Sequence, residues 1–147
     1  MKIQTNHQER IERFMIFAGQ KVPKKPKIPT LEVRKLRAEL ILEEAIELIA
    51  ALGFGIRFDF TKGLCIQDVG RDPDLIKITD GCCDLSVVTI GTLSACGIQD
   101  AVPLALVDQN NLEKLNGYKG ANGKWIKPVG HKPPDLAKEL RKQGWKG

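Results

Sequence analysis

Hydrophobic residues repeat along most of the chain with the period of an α-helix, and capping signals divide them into segments. The first helix begins after Thr5 or Asn6 and ends at Gly19. A second helix is predicted over 31–52, a third over 74–96 and a fourth over 99–115, where Pro103 falls in the first turn. Gly91 inside the third helix indicates that a neighbouring helix approaches closely there, because glycine otherwise costs a helix about 1 kcal/mol.

The period changes to two between the second and third helices. Phe54, Ile56, Phe58 and Phe60 alternate with smaller or polar residues, as in a half-buried strand, and Thr61-Lys62-Gly63 can turn the chain back. The segment 54–69 therefore predicts a β-hairpin insert. We expect its aromatic residues to pack in the core or against a partner subunit.

Beyond Gly117 the chain is rich in Gly, Pro and Lys, with a short helix predicted over 135–143. The pattern as a whole predicts an all-α fold: a helical bundle of four main helices, a small β-hairpin insert between helices 2 and 3, and a loop-rich C-terminal tail. A length of 147 residues fits a single domain, 1–147, of which about 117–147 form a basic tail.

The composition excludes fewer possible functions than the pattern of hydrophobic and polar positions does. No segment is long and apolar enough for a membrane span or a signal peptide, so we expect a cytoplasmic protein without a membrane partner. Four cysteines without a Cys-x-x-Cys pair, and two histidines, disfavour a zinc site. The net charge of +5 indicates either an anionic partner, such as nucleic acid or nucleotide phosphates, or simply a solubilising surface.

Five carboxylates give the strongest chemical signal. Glu43, Glu44 and Glu47 share one arc of a second helix that is apolar nearly all round, and Asp80 and Asp84 share a face of the third. Two antiparallel helices packed face to face would bring them together, where raised pKa values, Lys or Arg, or a divalent metal must offset their repulsion. Oxygen ligands select Mg²⁺ or Mn²⁺, and such an ion suits hydrolysis of a phosphoanhydride. An acid-rich helix on a solvated or interface surface is the alternative.

These motifs resemble the all-α nucleoside triphosphate pyrophosphohydrolases of the MazG-like superfamily, which includes dimeric dUTPases and phosphoribosyl-ATP diphosphatases. The segment 36–48 resembles the Glu-Glu-x-x-Glu helix of that superfamily, and 80–92 resembles its second acidic helix. The resemblance covers most of the chain and is closest to small phage and bacterial members. It implies an enzyme, a homodimer or homotetramer, that releases a nucleoside monophosphate and pyrophosphate by cleaving between the α- and β-phosphates.

The resemblance also implies roles for individual residues. Glu44, Glu47 and Asp84 match metal ligands for Mg²⁺ or Mn²⁺, and Glu43 matches the catalytic carboxylate that acts as base or as an additional ligand. Gly81 stands where the common Glu-x-x-Asp motif has its first acid, so Asp80 becomes the fourth metal ligand. The expected substrate-binding residues are Asn111, Lys114, Lys124 and Lys127, with Gln20 as a base contact.

Several substrates remain open. By resemblance to phage members, (d)GTP is favoured, and dUTP, dCTP or phosphoribosyl-ATP are the alternatives. A basic helical nucleic-acid-binding module without catalysis belongs to a different class, but its five acids would repel such a ligand, so nucleic acid is not the expected partner.

Overall fold

The computed structural model describes residues 6–121, 123 and 125–147. Along them the elements are α1 (His7–Phe17), α2 (Leu31–Ala51), β1 (Phe54–Asp59), β2 (Gly63–Asp68), α3 (Leu75–Ala95), α4 (Ala101–Glu113), a 3₁₀ turn (Lys114–Asn116), β3 (Tyr118–Lys119), β4 (Trp125–Ile126) and α5 (Leu136–Lys142). Over these ranges we find no helix with the length and apolar character that crossing a membrane requires.

The predicted fold class is wrong in its count of elements. The described part of the chain has five helices and two antiparallel hairpins, so a four-helix bundle with one hairpin does not describe it. Helix α5 lies within the predicted segment 135–143, but the second hairpin was not predicted because strands of two residues show no alternation. It forms where Gly117 leaves room for the carbonyl oxygen of Ile126 and the Trp125 indole donates to the Lys114 carbonyl.

Local signals in the sequence account for where the helices start. The Asn6 side chain accepts a hydrogen bond from the Glu9 amide at 2.8 Å and caps α1, while Thr5 lies outside the described residues. The Asp74 carboxylate accepts from the amides of Ile76 and Lys77 and caps α3. Both caps satisfy amide groups that the first turn of a helix leaves without partners.

Helices α2 and α3 form the antiparallel pair on which the acidic residues lie. A Cβ atom at Gly81 would lie 3.3 Å from the Cα of Leu48, so glycine allows the two backbones to approach closely. Gly91 faces two neighbouring helices, as its position predicts. A Cβ atom there would lie 3.1 Å from Nη1 of Arg37 on α2, and 3.5 and 3.6 Å from side-chain atoms of Ile11 and Met15 on α1, so this glycine makes room for their side chains.

Helix α1 closes one end of this pair. Its Ile11 and Met15 pack with Ile90 and Ala95 of α3 in the buried core. Next to this core, the buried Gln8 amide donates to the Ser94 hydroxyl at 3.0 Å and to the Ile98 carbonyl at 2.8 Å. These contacts fix α1 against the C-terminal half of α3.

The hairpin β1–β2 is confirmed, and it lies outside the core of the chain. Ile56 pairs with Ile66 and Phe58 with Leu64, which places four apolar side chains on one face. All four are exposed, Phe58 to 61% and Leu64 to 72%. Packing in the core is therefore not their role in the single chain.

The return from the hairpin folds back onto the end of α2. Gly53 has a φ of +92°, and a Cβ atom there would lie 2.5 Å from the carbonyl oxygen of Arg71. The Asp74 amide donates to the Ala51 carbonyl at 3.0 Å. This fold-back places Arg71 beside the acidic face of α2.

Helix α4 and the tail form a separate layer. Among the described residues, α4 packs against α5 and the 3₁₀ turn instead of the α2–α3 pair. The Gln143 side chain holds α5 by bonding to both the amide and the carbonyl of Gln99, at 2.9 and 3.1 Å. Helix α4 and the 3₁₀ turn consequently expose a series of apolar side chains: Val102, Leu104, Val107, Leu112 and Leu115.

Candidate active site

Five carboxylates meet between α2 and α3, as the pattern of the sequence predicts. Glu44 is partly buried, and the other four are exposed. Burial raises the pKa of the Glu44 carboxyl, and the negative charges of Asp84, Glu47, Glu43 and Asp80 raise it further, in that order. None of the five forms an ion pair with a cation among the described residues, so no such contact offsets their repulsion within this part of the chain.

A cavity of about 590 Å³ lies on one side of these acids, towards the hairpin. Glu47, Asp80 and Asp84 line it together with the cations Arg71 and Lys77. Sequence reasoning did not identify either cation. Lys77 lies one turn before Gly81 on the acidic helix and could have been found by its spacing, whereas Arg71 reaches the site only through the fold-back at Gly53.

A second cavity, of about 280 Å³, lies on the other side. Gln20 and Arg37 line one part of it and Glu44 and Asp84 another, while its remaining walls are apolar: Ile11, Phe14, Met15, Leu40, Val87 and Val88. Because Asp84 belongs to both cavities, the acids lie where the two spaces meet.

Arg37 is a residue of this second cavity that sequence reasoning missed. It is only 7% exposed, and burial lowers the pKa of its guanidinium. Its Nη2 donates to Oε1 of Gln20, and its buried Nε has no hydrogen-bond partner among the described residues. A signal was present, since Arg37 precedes Glu44 by seven residues and so shares its helical face.

The predicted substrate-binding residues divide into two groups. Gln20 lines the second cavity, as its expected role requires. Asn111, Lys114 and Lys127 line neither cavity, and Lys114 instead donates to the Asn111 side chain. Lys124 lies outside the described residues.

The carboxylate oxygens of the five acids suit a hard divalent cation that leaves some of its coordination positions open to substrate. In residues 6–121, 123 and 125–147, no three His, Cys, Asp or Glu side chains are grouped closely enough to hold a metal ion by themselves. Mg²⁺ is commonly bound by one or two carboxylates, completed by water and substrate phosphates, so a preformed cage is not what it requires. Unneutralised carboxylates beside an open cavity fit this mode of binding.

The carboxylates of α2 and α3 face each other, as the resemblance to the all-α nucleotide pyrophosphohydrolases implies. A family model described as phosphoribosyl-ATP pyrophosphohydrolase matches residues 11–111, and the chain belongs to this family. The match includes all five acids, Gln20 and Arg37. The family lies within the MazG-like superfamily, which confirms the suspected relationship and the prediction of a pyrophosphohydrolase enzyme.

Members of this superfamily are typically dependent on a divalent metal. No curated protein matches the chain significantly.

Proposed function

We propose that the protein is a Mg²⁺- or Mn²⁺-dependent pyrophosphohydrolase that cleaves (d)GTP between the α- and β-phosphates. The observation that carries the proposal is the convergence of four carboxylates on a fifth, Glu44, with no ion pair to a cation among the described residues, between two cavities of unlike lining. One cavity offers cations for phosphates, and the other offers apolar walls for a nucleoside.

Each part of the site has a role in this reaction. Glu44, Glu47, Asp80 and Asp84 would hold the metal, which would supply charge stabilisation at the phosphates and would lower the pKa of a water molecule bound to it. Glu43, exposed beside Glu44, accepts a proton from the attacking water as its oxygen bonds to the α-phosphorus. The bond from that phosphorus to the oxygen bridging to the β-phosphate breaks, and Arg71 and Lys77 bind the departing pyrophosphate.

The test is a panel of common NTPs and dNTPs with Mg²⁺ or Mn²⁺, scored for monophosphate and pyrophosphate. We expect Glu44→Gln to abolish turnover. Glu39→Gln is the matched control, because Glu39 lies on the same helix but is exposed and paired with Lys35 at 3.6 Å. Release of orthophosphate would contradict the proposed cleavage. Salt-sensitive DNA or RNA binding that survives Glu44→Gln, without turnover, would favour the nucleic-acid-binding alternative.

A second candidate substrate is phosphoribosyl-ATP, which the description of the matching family names. The proposed chemistry is the same, because this compound also carries a triphosphate chain. Including it in the panel separates the two candidates by the ratio of their kcat/KM values.

We also propose that the protein works as a homodimer or homotetramer. Several large apolar side chains are exposed on α4 and on one face of β1–β2, and contiguous apolar patches are typical of protein–protein interfaces. If Asn111, Lys114 and Lys127 bind substrate, as the resemblance implies, they would act at the acids of another copy. Mixing Glu44→Gln protein with Lys114→Ala protein should then restore activity that neither has alone. Without recovery, or with a monomer in light scattering, this proposal fails.

A further inference from the structure

The Arg37 guanidinium is buried, and none of the described acidic residues forms an ion pair with it. Its one hydrogen-bond partner among the described residues is the neutral Gln20 side chain, and its Nε has none. Burying a charge in this way is unfavourable unless something else compensates it. Because burial of this unpaired guanidinium is unfavourable, its presence indicates that the cavity binds a ligand which accepts hydrogen bonds from it.

The surrounding residues preserve the position of Arg37. Gly91 leaves the space that Nη1 occupies, since a Cβ atom there would approach to 3.1 Å. The bond from Nη2 to Gln20 holds the guanidinium from the other side. An exposed surface arginine would need neither a glycine nor an amide acceptor beside it.

The polar groups at this end of the cavity are donors. Arginine has five N–H donors and no acceptor, and the bond to Gln20 occupies that residue's acceptor oxygen. The Gln20 amide nitrogen therefore remains as a further donor. A ligand recognised here must present acceptors side by side, and the apolar walls require it to be flat or hydrophobic elsewhere.

Guanine meets this requirement at its O6 and N7 atoms, which arginine binds in a bidentate manner. Adenine presents N7 beside its N6 amino group, so one N–H group of Arg37 would face another hydrogen-bond donor instead of an acceptor. The spacing also fits a nucleotide, because Arg37 precedes Glu44 by seven residues, a rise of about 10 Å along α2. That is about the reach from the far edge of a purine to its α-phosphate.

We propose that Arg37, held in place by Gln20 and Gly91, selects the nucleobase by binding the O6 and N7 acceptors of a 6-oxopurine. This inference rests on the proposed function and specifies its substrate class as guanine and hypoxanthine nucleotides.

Substrate analogues test it on the unaltered protein. The kcat/KM values for dGTP and dITP should be similar and should exceed that for dATP by about 10- to 100-fold. 7-Deaza-dGTP, which replaces the N7 acceptor by C–H, should lose about 10-fold relative to dGTP. If dATP or 7-deaza-dGTP is cleaved as well as dGTP, the inference is wrong, although the proposed function stands.

Variants assign the selection to Arg37. Arg37→Met should lower kcat/KM for dGTP about 10- to 100-fold and leave that for dATP nearly unchanged. Arg34→Met, at an exposed position one turn earlier, should change neither. An equal loss for both nucleotides with Arg37→Met would mean a structural or phosphate-binding role and would overturn the inference.

Calorimetry with dGMP and dAMP gives a readout that does not need turnover. We expect the preference for dGMP to disappear in Arg37→Met and to weaken in Gly91→Ala, which displaces the guanidinium with little change to the apolar walls. A preference for dGMP without hydrolysis of any triphosphate would support the inference while the proposed function failed. Equal affinity of the unaltered protein for dGMP and dAMP would overturn the inference.

Discussion

Replacing Glu44 by glutamine should stabilise the protein in the absence of metal, although it should also abolish turnover. Glu44 lies among four other carboxylates, and its pKa is raised by burial and by their charges. The folded chain therefore holds more protons than the unfolded chain between the ordinary value of 4.5 and the raised one. As the pH rises through this window, ionisation lowers the free energy of unfolding, and the loss is complete above it.

The magnitude follows from the number of neighbours. A like-charge pair on a helix costs a few tenths of a kcal/mol, so four partly screened neighbours should cost about 1 kcal/mol together. For a chain of this length that is a rise of about 2–4 °C in Tm for Glu44→Gln at pH 7. The gain should disappear near pH 4, where the carboxyl of the unaltered protein is protonated in both states.

Thermal and urea unfolding in a metal-chelating buffer, at several pH values, measure this difference. Glu39→Gln is the control, because its exposed ion pair with Lys35 should change stability by less than about 0.5 kcal/mol at any pH. Added Mg²⁺ should raise the Tm of the unaltered protein more than that of Glu44→Gln. If Glu44→Gln lowered stability at pH 7 without metal, the carboxylates would not be repelling one another, and the argument for a metal site would fail.

Three further predictions concern packing, phosphate binding and assembly. Gly81→Ala should lower the free energy of unfolding, measured with urea, by up to about 2 kcal/mol. The steric cost of its Cβ against the backbone at Leu48 should exceed the gain in helix propensity. Unchanged stability would show that α2 and α3 can move apart without cost. Arg71→Ala should lower kcat/KM about 10-fold or more in pyrophosphate-release assays while Arg57→Ala does not, and equal effects would exclude a specific role. Phe58→Ser should weaken self-association roughly 10-fold in sedimentation, and an unchanged oligomer would show that this face is not an interface.

The helices could be predicted because their signals are local. Asn6 and Asp74 cap the helices that follow them by bonding to amides within three residues, and the acids of α2 and α3 share faces through spacing alone. The packing of α2 against α3 could also be predicted, because each helix has an apolar surface that is stabilised by burial. The hairpin's alternation correctly predicted two strands, but alternation shows only that one face is apolar and not what covers it.

Other parts of the site depend on contacts that no local pattern contains. The spacing to Glu44 shows which helical face Arg37 shares, but its burial depends on contacts that include Gly91, more than fifty residues later. Arg71 reaches the acids because the chain folds back at Gly53. Asn111 and Lys114 match positions of the superfamily in order along the sequence, yet neither residue lines a cavity beside the acids of the same chain. The order of motif residues along the sequence does not show whether a residue acts at the site of its own subunit or of another copy.

Helix α2 links base selection to chemistry in the proposed enzyme, because it carries residues of both cavities. Arg37 and Glu44 are separated by a fixed rise of about 10 Å on one face of a rigid helix. A purine that reaches Arg37 would place its α-phosphate at the carboxylates, whereas a smaller pyrimidine held by Arg37 would draw that phosphate away from them. Misplacement of the reacting phosphorus by even 1 Å is costly to rate. Pyrimidine nucleotides should therefore have a lower kcat than purine nucleotides, and not only a higher KM. A difference in KM alone would show that binding of the base does not control the position of the reacting phosphorus.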